Sequence, residues 1–236
     1  MKMDNKVDKN YKKVVALVPM RHMSERIPGK NYRLFAGRPL YHCIVESLKE
    51  SGEIIDIVID TDSPVIMEDA EKNFPYVKII QRPENLRDWK TPMNDVIKHD
   101  VGQVEGEVFL QTHSTNPLVK PETIKEAVKK YFEKYPENDS LFSVSQLQTR
   151  LWDMNGVAIN HDPGVLIRTQ DMDPVFEENS CVYIFQRETI EKGGNRIGKK
   201  PLMFKIRRNE ALDIDEEMDF KIAEQIYLMR MEGAEI

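Results

Sequence analysis

Short apolar runs alternate with helical patterns along most of the chain. Residues 14–19 form the first run, which is apolar on both faces as in strands of a parallel sheet. Further runs predict strands at residues 54–61, 77–81, 108–112, 141–144, 180–186 and 202–207. Apolar residues at helical spacing predict helices at residues 39–51, 63–73, 93–101, 121–135 and 216–231. Strands that alternate with crossover helices indicate a doubly wound, mostly parallel α/β sheet.

The last predicted helix carries an apolar stripe. Met218, Ile222, Ile226 and Met229 are spaced so that they share one face of this helix. A helix with one apolar face packs that face against the core of its domain. We therefore expect this stripe to be buried.

The segment from residue 148 to residue 179 interrupts the alternation. Asn-Gly, His-Asp-Pro-Gly and Met-Asp-Pro sequences, which favour turns, surround a short predicted strand at residues 157–159. We interpret the segment as an insertion on the sheet that forms a lid or a dimer arm. Residues 1–12 are charged and lack the apolar centre of a signal peptide, so we expect a flexible leader.

Composition narrows the class of protein. The chain has 236 residues and a formal net charge of −6, a size that suits a single α/β domain. A modest acidic excess argues against a nonspecific nucleic-acid binder. No apolar stretch approaches the roughly 20 residues that a membrane-spanning helix needs, so we expect a cytoplasmic protein. Cys43 and Cys181 lie in apolar runs and are expected to be buried and reduced.

The loop after the first predicted strand carries a cluster of cations. Arg21, Arg26 and Lys30 lie within ten residues, together with Ser24 and Asn31. Ligands of open α/β sheets bind beyond the carboxyl ends of the strands, and guanidinium groups bind phosphate oxygens in pairs. The loop therefore either holds a triphosphate or is a solvated basic loop. The glycine motifs of nicotinamide dehydrogenases and P-loop ATPases are absent from the sequence.

Two carboxylates precede the last predicted helix. On an extended chain Asp213 and Asp215 point to the same side, while Ile214 points toward the core. Two oxygen ligands suit Mg²⁺, which completes its shell with water and substrate phosphates. The alternative is that Asp215 is the N-cap of the helix. The two interpretations are compatible, since a cap explains only Asp215.

Several motifs jointly resemble the acylneuraminate cytidylyltransferases. They are V-P-M-R-H-M-S-E-R-I-P-G-K-N, G-R-P-L, V-I-D-T-D, Q-R-P-E-N-L, N-P-L-V-K-P-E-T-I and D-I-D-E-E-M-D, and the resemblance extends over about residues 13–230. This family includes CMP-sialic acid synthetases and relatives that activate 3-deoxy-octulosonate. The resemblance implies a single three-layer cytidylyltransferase domain at residues 13–236, with a Rossmann-like fold typical of nucleotide-diphospho-sugar transferases. It further implies CTP and a small sugar acid as substrates, Mg²⁺ as cofactor and a homodimer.

The resemblance also implies roles for individual residues. The implied nucleotide site consists of polar and charged residues on separate loops: Arg21, Ser24, Arg26, Lys30, Asn31, Asp62 and Arg82. The implied sugar site consists of Gln111, His113, Asn116 and Asn179. Asp213 and Asp215 match the magnesium-binding pair, and with Arg21 and Lys30 they are the expected catalytic residues.

Three departures from the family pattern affect these assignments. Glu25 stands where sialic acid synthetases carry a lysine, although Arg26 supplies a cation one residue later. The segment at residues 111–118 is two residues longer than its family counterpart. Glu177 replaces an arginine near the sugar pocket, which indicates either a modified sugar or a solvated side chain. Another nucleotide or sugar substrate and a non-catalytic nucleotide sensor therefore remain as alternatives.

Overall fold

A computed structural model describes residues 13–234, and the predicted leader at residues 1–12 lies outside this range. In chain order the strands are β1 Val14–Met20, β2 Leu34–Phe35, β3 Arg38–Pro39, β4 Ile54–Thr61, β5 Lys78–Gln81, β6 Val108–Gln111, β7 Ser140–Leu147, β8 Val175–Gln186 and β9 Pro201–Lys205. Seven of them form one sheet in the order β5-β4-β1-β6-β8-β7-β9. The strands β2 and β3 form a separate hairpin.

Helices cover both faces of this sheet. They are α1 Tyr41–Glu50, α2 Pro64–Asn73, α3 Met93–Gln103, α4 Pro121–Lys134, α5 Arg187–Gly193 and α6 Glu217–Met231. Successive residues of β1 point to opposite faces, so Ala16 packs with α1, α2 and α4, whereas Leu17 packs with α3 and α5. The predicted three-layer α/β fold is confirmed. Within residues 13–234, no helix is both long and apolar enough to cross a membrane.

Strand direction places four strand ends together. β1 pairs in parallel with β4 and β6, and β4 pairs in parallel with β5. β8 is antiparallel to both β6 and β7, and β9 is parallel to β7. The sheet is therefore mostly parallel, and the carboxyl ends of β1, β4, β5 and β6 lie at one edge.

The structure corrects two boundaries in the interrupting segment. β8 begins at Val175, so residues 175–178 continue the sheet as the pairing partners of residues 144–147 in β7. The predicted strand at residues 157–159 is wrong: only an isolated bridge between Trp152 and Ala158 forms there. A segment rich in turn sequences cannot continue a ladder, because each turn redirects the backbone hydrogen bonds.

The expected buried face of α6 is wrong for three of its four residues, and only Ile226 packs against the core, partly buried. Met218 is 65% exposed, and Ile222 and Met229 also face solvent. The buried residues are Phe220 and Ala223, which pack with the β2–β3 hairpin and Ile214. The hairpin supplies Phe35, whose ring meets the ring of Phe220 edge to face at 5.5 Å. The face of α6 that carries Phe220 and Ala223 is therefore the buried one, because the large ring of Phe220 packs against the hairpin.

Candidate active site

The parallel strand ends open onto a cavity of about 200 Å³. Its wall includes residues from the loop after β1, from the end of β5 and from the loop after β6. Of the predicted site residues, the cavity brings together Arg21, Ser24, Arg26, Lys30, Asn31, Arg82 and His113. Most of the implied nucleotide site is therefore assembled in one place.

A glycine and an asparagine shape the loop after β1. Gly29 has a φ of 66°, and a Cβ at this position would lie 2.7 Å from the ring of Tyr32. Only glycine fits such a turn without displacing that ring. The Asn31 side chain then donates to the carbonyl of Arg21 at 2.8 Å and accepts from Ser114 Oγ at 2.7 Å. These bonds close the loop on itself and fix it to the loop after β6.

Lys30 joins this loop to the segment that precedes α6. Its side chain is buried, and Nζ donates to the carbonyl oxygen of Ile214 at 2.5 Å. Burial lowers the pKa of Lys30, while the charges of Asp213 and Asp215 oppose the shift. Arg26 reaches the same segment, with Nη2 2.5 Å from Asp215 Oδ1. Two cations of the loop after β1 therefore contact the Asp213–Asp215 segment directly.

The Asp213–Asp215 segment has the donors that a magnesium ion requires. Ile214 is fully buried, as predicted, and its N–H donates to the Thr115 carbonyl at 2.9 Å. Asp213 Oδ1 is buried and has no hydrogen-bond partner among the described residues. Burial raises the pKa of Asp213, and the nearby charge of Asp215 adds to this rise. An orphaned carboxylate oxygen beside a second carboxylate fits a hard divalent cation.

The alternative role of Asp215 as a helix cap is wrong. Glu216 is the N-cap residue of α6. The carboxylate that accepts the free backbone N–H groups belongs to Asp219, at 2.8 Å from the nitrogen of Glu216 and 3.0 Å from that of Asp215. Because Asp219 serves the cap, the Asp215 side chain is available to Arg26 and to a ligand.

Arg82 lies in a buried charged cluster that the sequence analysis missed. Its Nε donates to Asp60 Oδ1 at 2.6 Å, and these side chains are only 2% and 1% exposed. Burial and a hydrogen bond with Asp60 raise the pKa of Asp100, on α3, to about 9. Asp100 is therefore protonated at neutral pH, and the cluster of Arg82, Asp60 and Asp100 has no net charge. The available signal was Asp60 itself, an acidic residue inside an apolar strand.

His99 completes a group with metal-like spacing, but its chemistry argues against a metal. Ligand atoms of Asp60, His99 and Asp100 lie within 4.8 Å of one another. The guanidinium of Arg82 already neutralises Asp60 at this point, and a proton on Asp100 removes the second charge. The cluster thus supports Arg82, whose Nη2 has no partner among residues 13–234 although the side chain lines the cavity.

Asp62 lies beside the cavity rather than in its wall. Its Oδ1 accepts from the backbone N–H of His22 at 2.7 Å, which ties the end of β4 to the loop after β1. It also lines a neighbouring cavity of about 330 Å³ together with Arg21, Ser24 and Trp89. Asp62 therefore both holds the loop and borders the space next to it.

The implied sugar residues are divided between two places. Gln111 Nε2 lies 2.9 Å from His113 Nε2, while Gln111 Oε1 is buried without a partner in the described chain. Burial and the charges of Arg196 and Lys30 lower the pKa of His113 to about 3, so this ring is neutral. Both amide atoms of Asn116 are also buried and unpartnered among the described residues. Gln111 is the last residue of β6, and His113 and Asn116 lie in the loop that follows it.

Asn179 bonds side chains of β7. Its side-chain amide lies 2.6 Å from Ser143 Oγ and 3.1 Å from Ser145 Oγ, at an irregularity in the β7–β8 ladder. Asn179 does not line the cavity. Opposite Gln111 on β8 is Tyr183, which the sequence analysis missed. A tyrosine within an apolar strand gives no separate signal in a single sequence.

Comparison with known proteins identifies the family. A family model described as cytidylyltransferase matches residues 15–235. The chain belongs to the cytidylyltransferase family. The family expected from the sequence motifs is confirmed, and membership makes the protein a nucleotidyltransferase.

Individual relatives of this cytidylyltransferase include sugar-acid enzymes. The CMP-N,N'-diacetyllegionaminic acid synthase of Legionella pneumophila is 28% identical over 236 residues, which is 94% of this chain and 99% of that protein. The N-acylneuraminate cytidylyltransferase of Streptococcus agalactiae is 28% identical over 218 residues, or 88% of this chain, but only 52% of that protein. The chain thus spans about half the length of the streptococcal relative.

A solved structure shares the fold. CMP:2-keto-3-deoxy-manno-octonic acid synthetase complexed with CTP superposes with a TM-score of 0.69 at 14% identity. The match covers 93% of this chain and 99% of that one. At this identity the likeness shows the common architecture.

Proposed function

We propose that this cytidylyltransferase transfers CMP from CTP to a nonulosonic acid and releases pyrophosphate. One observation carries the proposal: Arg26 and Lys30, which line the cavity with the rest of the cationic loop, also contact the Asp213–Asp215 segment directly. Cations suit the phosphates of a nucleoside triphosphate, and the adjacent carboxylates suit its magnesium ion. The names of the relatives support CTP and a sialic-acid-like substrate.

The proposed reaction is an in-line displacement at the α-phosphorus of CTP. The anomeric hydroxyl of the sugar acid gives its proton to solvent and forms the new oxygen–phosphorus bond, while the bond to pyrophosphate breaks. Arg21, Arg26 and Lys30 neutralise the charge that builds up on the departing pyrophosphate. Asp213 and Asp215 would hold Mg²⁺, which supplies further charge neutralisation at the phosphate oxygens when bound. The loop and segment contribute mainly by positioning the reactants.

The sugar acid is proposed to bind on the β6–β8 side of the cavity. Gln111 Oε1 and the amide of Asn116 are buried acceptors and donors without partners among the described residues, so a polar ligand can satisfy them. His113, which lines the cavity, is neutral and bonds Gln111. Asn179 already bonds two serine hydroxyls and supports the site from behind.

Pyrophosphate release tests the proposal. The assay contains CTP, Mg²⁺ and one acid from a panel that includes N,N'-diacetyllegionaminic and N-acetylneuraminic acids and 3-deoxy-octulosonate. We expect release with at least one nonulosonic acid, and a larger thermal shift with CTP than with ATP, GTP or UTP. A larger shift with another nucleotide indicates a different nucleotidyltransferase. CTP binding without release from any acid indicates a nucleotide sensor and contradicts the proposal.

A homodimer is proposed as part of the same function. We define the arm as residues 148–179, within which Met154 is 97% exposed and Leu166 is 90% exposed. Several other apolar side chains of the arm are also exposed: Trp152, Val157, Ile159, Val165, Ile167 and Phe176. So many exposed apolar side chains within one segment are typical of an interface, and a second copy of the chain is the proposed partner. The buried free thiols of Cys43 and Cys181 agree with a cytoplasmic location.

A further inference from the structure

Arg196 is half-buried and keeps one guanidinium donor without a partner among the described residues. Its Nη1 is shielded from solvent and has no hydrogen-bond partner in the part of the chain that the structure describes. No carboxylate of residues 13–234 forms an ion pair with it. The guanidinium lies over the ring of Tyr183, with Cζ 3.8 Å from the ring centroid. Arginine cannot lose its proton in a protein, so this charge is permanent.

A second arginine shows what a purely structural role looks like in this fold. Arg187 also lies over an aromatic ring, that of Phe109, with Cζ 5.2 Å from the centroid. However, its three guanidinium nitrogens donate to the carbonyls of Val101, Val104 and Gly106 at 2.7–2.8 Å. Each guanidinium nitrogen of Arg187 therefore has at least one partner, whereas Nη1 of Arg196 has none among the described residues.

The position of Arg196 places this donor beside the cavity. Tyr183 stands directly opposite Gln111 in the β6–β8 ladder, so the two side chains share one face of the sheet. The charge of Arg196 acts on His113, which bonds Gln111 and lines the cavity. The backbone N–H of Arg196 also meets Asn94 Oδ1, next to the cavity residue Met93. Arg196 is thus outside the cavity wall but next to its residues His113 and Met93, on the side proposed for the sugar acid.

We propose that Arg196 is the residue that binds the carboxylate of the sugar acid. The inference rests on the proposed function and adds a recognition residue to it. A buried guanidinium N–H without an acceptor is unfavourable, and a planar carboxylate matches the fork of donors on arginine. The triphosphate has its own three cations, Arg21, Arg26 and Lys30, on the loop after β1. The remaining negative group of the two substrates is the carboxylate of the sugar acid.

Stacking on Tyr183 makes this contact selective. The ring fixes the plane of the guanidinium and leaves Nη1 oriented before the substrate arrives. Tyr183 is itself fixed, since its hydroxyl bonds Glu178 and lies 3.2 Å from Ser180 Oγ. A ligand with an uncharged group at this position cannot satisfy the donor equally well, because only a charge-assisted bond compensates for the half-buried cation.

The test compares the acid with its methyl ester in wild type and Arg196→Gln. Arg187→Gln serves as the matched control, since it removes a stacked arginine whose guanidinium nitrogens all have partners. We expect Arg196→Gln to raise the KM for the acid about tenfold to a hundredfold with an unchanged KM for CTP. Wild type should discriminate against the ester by a similar factor, and Arg196→Gln should lose that discrimination. Arg187→Gln should lower the Tm and keep the preference for the acid.

The possible outcomes separate the two proposals. An Arg196→Gln enzyme that still prefers the acid over the ester overturns the Arg196 assignment, while the proposed function stands. An equal loss of activity toward acid and ester also overturns it, because such a loss reflects damage to the fold. Wild-type protein that releases no pyrophosphate with any nonulosonic acid overturns the function, and the assignment falls with it.

Discussion

Asp213 and Asp215 are two residues apart and have opposite surroundings. Asp213 is partly buried and has one shielded oxygen without a partner among the described residues, whereas Asp215 is about half exposed and bonded to Arg26. Replacement of either by asparagine removes a negative ligand for a hard cation and keeps the shape of the side chain. We expect turnover to fall by about a hundredfold or more in both variants. Initial rates against Mg²⁺ concentration measure this loss.

Stability should respond differently from turnover in these variants. Asp213→Asn removes a partly buried carboxylate, so the free energy of unfolding should stay within about 1 kcal/mol of wild type or rise slightly. Asp215→Asn breaks only a partly exposed ion pair, which contributes about 0–1 kcal/mol. The control is Asp219→Ala, which should cost about 1 kcal/mol through the lost cap and keep its turnover. Near-normal turnover in Asp213→Asn would contradict the metal assignment.

Asp100 makes stability depend on pH in a defined direction. Its pKa is about 9 in the folded protein against 3.8 for an unperturbed carboxyl, so the folded state retains a proton that the unfolded state has lost. The stabilisation from this group is therefore complete below pH 4 and declines as the pH rises toward 9. Asp100→Asn keeps a donor for Asp60 and does not titrate. We expect the variant to gain stability relative to wild type between pH 5 and pH 9.

Chemical denaturation at pH 5, 7 and 9 measures this gain. The surface variant Asp56→Asn is the control, since Asp56 bonds only Lys78 at the edge of the sheet. Parallel curves for Asp100→Asn and wild type across this range would show that Asp100 is ionised in the folded protein.

The sequence predicts that a residue belongs to the site where other site residues lie close to it along the chain. Arg21, Arg26 and Lys30 cluster within one loop, and the structure places all three around the cavity. Asp100 and Arg196 depend instead on partners distant in sequence: Asp60 is 40 residues from Asp100, and Arg196 stands out only because it lacks an acceptor. A lone sequence contains no record of which charges remain unpaired after folding.

At the scale of elements, α6 provides a direct test of its orientation. Ile222→Gln and Met229→Gln replace side chains that face solvent, so each should change the free energy of unfolding by about 0.5 kcal/mol or less. Phe220→Ala removes a buried ring beside Phe35 and should cost about 3–5 kcal/mol. Urea denaturation of the three variants compares these values. A large loss in Ile222→Gln would show that another surface covers that face.

Elements with strong local signals were predicted within a residue or two. β4 matches its predicted range. α2 begins at Pro64, one residue after its predicted start, because Ser63 is the N-cap residue, with Ser63 Oγ accepting from the N–H of Ile66 at 3.3 Å. The β2–β3 hairpin was missed, since strands of two residues show no alternation. It nevertheless determines which face of α6 is buried. Tertiary packing of an unpredicted element thus overrode the spacing of the methionines.

At the scale of the whole molecule, two exposed apolar surfaces compete as interfaces. One is the arm, with Leu166, and the other is the outer face of α6, with Met218. We expect wild type to be a dimer at micromolar concentration and Leu166→Asp to be a monomer, because a charge in an apolar interface is desolvated. Met218→Asp should remain a dimer. Multi-angle light scattering distinguishes these cases, and the reverse result would place the interface on α6.

The alternation of strands and helices was sufficient to predict the fold class, but not the order of the strands. Residues 175–186 form one long strand that crosses from the arm into the sheet between β6 and β7. The first half of this strand is polar and follows several turn sequences, so the sequence pattern predicted only its apolar second half. The position of Tyr183 and Arg196 beside the cavity depends on this insertion of β8. The sugar side of the site was therefore less predictable than the phosphate side.

In the proposed site, the ion pair between Arg26 and Asp215 competes with both ligands. A divalent cation held by Asp215 would displace Arg26, and a triphosphate held by Arg26 would deprive Asp215 of its partner. A metal–nucleotide complex would replace both partners at once. On the proposed function, the pair is therefore expected to favour the complex over either component by a modest factor, because a partly exposed ion pair contributes about 0–1 kcal/mol.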